Sequence, residues 1–267
     1  MRVLLKTALV LFGLSILLVG VSFNVLRAQD LGPRDKAARV MASEVRPVTA
    51  EVVVIKVDSS VDLVLVQGAV PSMKVRAEQR VMSNIVTVQE GNTLRISTKG
   101  LMVNMRNPMV VELTLPSLQQ LHVVGSGDSR VNGFSGESLQ LTLHGSGDVA
   151  FDGKYKNLSG SLSGSGDLVI HNSESDKMEL QLQGSGDVHA TGSTKVLDAK
   201  LVGSGDFDAT QLMSDSVTLK LMGSGDANVH AKTAVAIDIM GSGDVNVSGA
   251  PVQRSISKKG SGEANFD

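Results

Sequence analysis

The tetrapeptide Gly-Ser-Gly-Asp begins at Gly125, Gly145, Gly164, Gly184, Gly203, Gly223 and Gly241, and an altered copy, Gly-Ser-Gly-Glu, begins at Gly260. The successive spacings are 20, 19, 20, 19, 20, 18 and 19 residues. A period this steady means a stacked architecture, because one repeat of that length cannot bury its apolar face alone. The repeat therefore limits the fold to arrays in which each unit covers the next.

Aligning the repeats on the first Gly exposes a finer pattern. Six, four and two residues before it stand Leu139, Leu141, Leu143; Met178, Leu180, Leu182; Val217, Leu219, Leu221; and Val235, Ile237, Ile239. One and three residues after the Asp stand Val149, Phe151; Leu168, Ile170; Phe207, Ala209; and Val245, Val247. Alternation at period 2 predicts two short strands per repeat with their apolar sides facing one way, and the motif is the corner between them. The expected fold is all-β: a β-solenoid (β-helix) of about 20-residue rungs spaced ~4.8 Å apart. Its stability comes from inward aliphatic side chains at ~1.5–3 kcal/mol each.

The repeats occupy 116–267. Ahead of them, 48–115 forms a strand-rich N-terminal segment. It contains alternating runs such as "EVVVIKVD" and "MVVELTLP", with Gly91-Asn92 between two such runs as a hairpin signal. Residues 29–47 mix both charge signs with few large apolar groups and read as a linker. Residues 1–28 place Arg2 and Lys6 before a long uncharged apolar run, the pattern of an export signal or of an uncleaved membrane anchor. Either way, the remainder is expected outside the inner membrane: in the periplasm, in the cell envelope or secreted. The net charge of −2 argues against a nucleic-acid partner. The absence of cysteine excludes disulfides, thiolate metal sites and cysteine nucleophiles.

These features together resemble a known family. The stretch from Val61 to Thr98, the bridging "MVVELTLPSLQQLHVVGSGD" and the serial Gly-Ser-Gly-Asp are similar to the head GIN domain family of exported bacterial proteins, labelled auto-transporter adhesins. The similarity covers about residues 48–250. It implies a β-helical solenoid in the cell envelope, and it carries over no catalytic residue.

The repeated carboxylates are Asp128, Asp148, Asp167, Asp187, Asp206, Asp226, Asp244 and Glu263. Their first reading is structural. Gly tolerates φ > 0 at a sharp corner, while Ser and Asp hydrogen-bond nearby backbone N–H groups. A phosphate-binding loop fails, since a strand follows the motif and no Lys accompanies it. Calcium-loaded β-rolls carry two glycine-rich turns per coil. Here each rung offers one carboxylate, against the six to eight oxygens that calcium takes. Stacked carboxylates also match the ~5 Å spacing of retaining glycosidases, but catalysis needs unlike environments and a uniform ladder offers like ones. His122, His144, His171, His189 and His230 read as exposed polar residues.

The expected protein is thus an exported, non-enzymatic solenoid, without cofactor or metal, that meets an unknown envelope or surface component. A polysaccharide-active β-helix enzyme and a calcium-stabilised surface module are the alternatives. Phe134 and Tyr155 remain as candidates for an exposed aromatic platform. Asn228, Asn246 and Asn265 should form an asparagine ladder, and Lys220 and Asp238 a weak surface pair. The degraded last repeat, with Arg254 and Lys258 at inward positions, should close one end.

Overall fold

A computed structural model describes residues 40–100 and 105–267. The export or anchor segment 1–28 and most of the expected linker lie outside these residues. The strands are β1 (Met41–Arg46), β2 (Val54–Asp58), β3 (Asp62–Gln67), β4 (Ser72–Glu78), β5 (Ile85–Glu90), β6 (Thr93–Thr98), β7 (Val110–Leu115) and β8 (Gln120–Gly125). The repeats supply β9 (Ser129–Gly145), β10 (Val149–Gly164), β11 (Leu168–Gly184), β12 (Val188–Gly203), β13 (Phe207–Gly223) and β14 (Ala227–Gly241). The last coil is β15 (Val245–Ser248), β16 (Gln253–Gly260) and β17 (Ala264–Phe266).

The chain is a β-solenoid. From β9 to β14 every neighbour is parallel and in register, so that Gly125, Gly145, Gly164 and Gly184 stack in one column. The inward positions read from the alternation are buried: Leu139, Leu141, Leu143, Val149 and Phe151 are each at most 2% exposed. One detail differs from the sequence reading. The two short strands of a repeat are the two ends of a single strand of 15–17 residues that bends midway. Pairing survives that bend at the cost of register shifts, as between Gly153 and Asn157.

The N-terminal segment builds the first two coils out of chain order. Strand β2 lies between β6 and β8, and β3 lies between β7 and β9, all parallel. Antiparallel strands then end the column, β5 on β6 and the pair β4 and β1 on β7. Residues 41–46, expected within a linker, are therefore the outermost strand, β1. Arg46 holds this end together, its guanidinium donating to the carbonyls of Ile85 at 2.7 Å and Met82 at 3.2 Å.

At the other end β16 pairs with β14 alone and is exposed along its whole length. Arg254 and Lys258 stand in register with Val235 and Ile239, as the altered repeat predicts. Arg254 lies 4.2 Å from the centre of the Phe266 ring, a cation over an aromatic face that covers the last core layer.

Candidate functional site

The motif corner works differently from an ordinary turn. The N–H groups of Ser146 and Gly147 both donate to the carbonyl of Gly125 one rung below, at 3.0 and 3.4 Å. The next N–H, that of Asp148, finds no backbone acceptor in the ladder. It donates instead to Oδ1 of Asp128, at 3.1 Å. The same bond recurs at every rung. The N–H groups of Asp167, Asp187, Asp206, Asp226, Asp244 and Glu263 donate to the preceding carboxylate at 2.8–3.0 Å. Each carboxylate thus caps the rung that follows it, so the column of turn caps is an inter-rung ladder.

Two glycines per corner are needed for separate reasons. The first has φ between 131° and 143° at every corner, a region that L side chains rarely adopt. The third-position glycine, expected to share this role, is not among the positive-φ residues. An added Cβ on Gly147 would instead overlap the carbonyl oxygen of Gly127 beneath it. The ladder also starts one rung earlier than the motif shows. Asp62 accepts from the N–H of Asp128 at 3.0 Å, and Ser60 accepts from the hydroxyl of Ser126 at 2.9 Å. Ser59-Ser60-Val61-Asp62 is a corner without its glycines, legible only from the serine, the aspartate and their place between two strands.

The opposite edge of the coil carries a second ladder that the alignment on glycine hides. Eight residues before each motif stand Glu137, Lys156, Asp176, Lys195 and Asp215, alternating in sign from rung to rung. Lys156 contacts Glu137 at 2.8 Å and Lys195 contacts Asp176 at 2.6 Å. The partner acids raise the ammonium pKa of Lys156 and of Lys195, and Lys195 in turn lowers that of Asp176. These pairs are exposed, so each adds little stability.

A groove of about 860 Å³ opens beside that edge at the lower end. Its cause is topological. Strand β3 departs into β4, so its coil has no bend, and residues 116–119 cross that level to start β8. The floor is Leu118, Leu139, Leu158 and Tyr155, all buried. The rim is polar, with Gln120, Gln140, Ser138, Asn157 and Ser159 among its members. A second hollow of about 340 Å³ continues up the same face past Glu179 to Asp198, Lys200, Thr218 and Lys220.

Tyr155 and Phe134 form no exposed platform. They are 1% and 0% exposed, and Tyr155 stacks against Phe151 with ring centres 5.9 Å apart. The Tyr155 hydroxyl donates to the Leu118 carbonyl at 2.6 Å, and Gly136 leaves room for the ring, since a Cβ there would stand 2.8 Å from it. Burial pushes the Tyr155 phenol up to about 12. Asn172, also buried, exchanges two hydrogen bonds with the Tyr155 backbone, at 2.8 and 2.9 Å. Tyr155 and Asn172 keep the inward phase of Val149 and Leu168, whereas Phe134 turns inward because the pairing shifts by one residue at the bend.

The asparagine ladder forms: Asn246 donates to Asn228 at 2.8 Å and Asn265 to Asn246 at 3.1 Å. Lys220 and Asp238 are in register, but no ion pair joins them. Of the histidines, His122 is half-buried, and burial and the nearby Lys56 lower its pKa. His189 lies 3.2 Å from Asp208. Among the described residues no cluster of three or more His, Asp or Glu side chains could hold a metal ion.

The family described as "Putative auto-transporter adhesin, head GIN domain" matches residues 53–251. The chain belongs to that family. Its fold is shared with a protein of Parabacteroides distasonis described as a putative adhesin, at TM-score 0.79 and 25% identity over 85% of this chain and 98% of that one. A Parabacteroides merdae protein described in the same words follows at TM-score 0.76 and 20% identity, over 84% and 95%. A second P. distasonis protein, described as a putative lipid binding protein, stands at TM-score 0.77 and 24% identity, over 84% and 96%. No curated protein matches the chain by sequence.

Proposed function

We propose that this protein is an exported, non-enzymatic adhesion module that binds an envelope or surface component through the long side of its solenoid. The observation behind the reading is the rigidity and uniformity of the column. Its corners are locked by backbone and carboxylate bonds, while its outward side chains change from rung to rung. Such a scaffold suits display of an extended contact surface. Family membership supports adhesion, and residues 1–28 have the composition of an export signal or anchor.

The carboxylate column gives little to catalysis. Each interior Asp accepts the same N–H from the same kind of corner, so no pair has its acid and base roles separated. A lipid reading, raised by one structural relative, would need an open apolar channel. Here the apolar floor of the groove beside the charge ladder is covered, with Leu118, Leu139 and Leu158 each 2% exposed.

The purified protein should be retained on isolated envelope or cell-surface material and should release no reducing ends from a panel of polysaccharides. Turnover lost on substituting one acidic residue would overturn the non-enzymatic reading. Failure to bind any surface material would overturn adhesion.

A further inference from the structure

The two hollows share Glu179 and lie along one outward column, Gln120, Gln140, Ser159, Glu179, Asp198 and Thr218, stacked in register. They form a strip up the face of the parallel sheet that spans six rungs, on the order of 24 Å. Its chemistry changes along its length.

At the lower end four neutral side chains line the rim. Gln120, Gln140, Ser138 and Ser159 present side-chain amides and hydroxyls, both donors and acceptors, with no partner for these groups among the described residues. The charges beside them are paired within the protein, Lys156 with Glu137 and Lys177 with both Glu179 and Asp198, which leaves one net negative charge midway along the strip. At the upper end, Lys200 and Lys220 stand side by side on adjacent rungs. Both are exposed, and neither has a carboxylate within ion-pair distance among the described residues. Asp238, next in the column above Lys220, makes no contact with it. Two adjacent ammonium groups repel each other, and an anionic group placed between them would relieve that repulsion.

The geometry points to a linear acidic glycan lying along this strip, its hydroxyls on the Gln120–Gln140 end and an acidic substituent on Lys200 and Lys220. The face selects against peptide. It is the middle of a parallel sheet whose backbone groups are bonded within the coil stack, so a peptide strand cannot add to it by main-chain pairing. What the face offers is side-chain donors and acceptors, the complement of a polyhydroxylated chain. Without an exposed aromatic platform, hydrogen bonds and charge carry the recognition.

This inference rests on the adhesion reading and narrows it to one face. The probes are polygalacturonate, dextran as a neutral glycan, and poly-glutamate as an anionic peptide, measured by calorimetry on the whole protein. Polygalacturonate should bind, dextran at least tenfold more weakly, and poly-glutamate not measurably. The double substitution Lys200→Gln with Lys220→Gln should weaken polygalacturonate at least tenfold and leave dextran unchanged. Gln120→Ala with Gln140→Ala should weaken both glycans. Circular dichroism melting of each variant, expected to match the wild type, separates loss of the site from loss of the fold. Polygalacturonate binding unchanged in either double variant, equal binding of poly-glutamate, or no binding of polygalacturonate would overturn the proposal. Retention on surface material that survives both double variants would remove this face while leaving adhesion in place.

Discussion

The backbone N–H of Asp187 donates to the carboxylate of Asp167, 3.0 Å away and one rung below. The Asp187 carboxylate then accepts from Asp206 at 2.8 Å, so each side chain in the column serves its neighbour's corner rather than its own. Like charges ~4.8 Å apart in water repel by about 0.9 kcal/mol per neighbour. A hydrogen bond to a charged acceptor contributes ~1.5–3 kcal/mol, enough to offset two such repulsions. The column should therefore hold without bridging cations. Asp167→Ala should destabilise the fold by about 1–3 kcal/mol, since it strands the Asp187 N–H, whereas Asp167→Asn should cost less because its amide oxygen still accepts. A chelator should leave the melting temperature unchanged. Micromolar calcium binding near one ion per rung, with unfolding on chelation, would contradict this.

Glycine at the third corner position is a steric requirement. A Cβ on Gly186 would overlap the carbonyl oxygen of Gly166, and backbone stacked on both sides cannot yield. Gly186→Ala should cost more than about 4 kcal/mol or prevent folding. Gly91 provides the contrast, with φ of 57° in a hairpin and nothing within 4 Å of an added Cβ. Gly91→Ala should cost only the ~1–2 kcal/mol of a left-handed residue. Equal losses in denaturant unfolding of the two variants would refute the stacking argument.

The rungs were legible because the period of the motif and the alternation of Leu, Val and Ile agree on one register. The N-terminal end and the second bend were not. Asp62 belongs to the carboxylate column but lacks the glycines that mark it, and β2 and β3 enter the stack before the strands that lie beneath them. Phe134 faces inward because the pairing shifts by one residue at the bend, while Tyr155 keeps the inward phase of Val149 and Phe151. The alternating ladder of Glu137, Lys156, Asp176, Lys195 and Asp215 was readable in principle. Charge order along an edge becomes visible only once rungs are compared eight residues ahead of the motif. The groove has no local signature, because it exists where β3 leaves the coil.

Tyr155, the chain's one tyrosine, spans two coils to reach Leu118. Tyr155→Phe keeps the packing but leaves the buried Leu118 carbonyl without its donor, a loss of about 1–3 kcal/mol. Burial holds the phenol protonated in the folded state, up to about 12 against an ordinary value of 10. The associated stability is complete below pH 10 and is lost as pH rises through about 12. Absorbance at alkaline pH should show no phenolate in the folded protein near pH 10. A tyrosine titrating there without unfolding would contradict the buried placement.

Glu78 is a fully buried carboxylate at the N-terminal end. It contacts Arg80 at 2.8 Å and accepts from the Arg106 N–H at 3.0 Å, tying a loop to β4. The Arg80 guanidinium, ahead of that backbone bond, holds its carboxyl below the ordinary value of 4.5. A depressed acid contributes stability that is present above 4.5 and is lost as pH falls through the folded-state value. The melting temperature of the wild type should therefore fall more steeply below pH 4.5 than that of Glu78→Gln, which should be the less stable of the two at neutral pH. Parallel curves would show that Glu78 gains nothing from its partners.

The C-terminal coil ends a column that would otherwise present apolar core. Strand β16 carries Arg254, Lys258 and Lys259 in place of aliphatic and neutral residues, and charged side chains on an edge strand oppose pairing with a second chain. Arg254 lies over Phe266, so the guanidinium covers the ring while its charge remains accessible to water. Removing residues 251–267 would expose Val235, Ile237 and Ile239 together with the open edge of β14. The truncated protein should self-associate, read as a concentration-dependent rise in mass by light scattering. The milder change Arg254→Val with Lys258→Ile restores the interior pattern on the last rung and should also promote association, without shortening the chain. A truncated protein that stays monomeric across the same concentrations would show that the column needs no charged end.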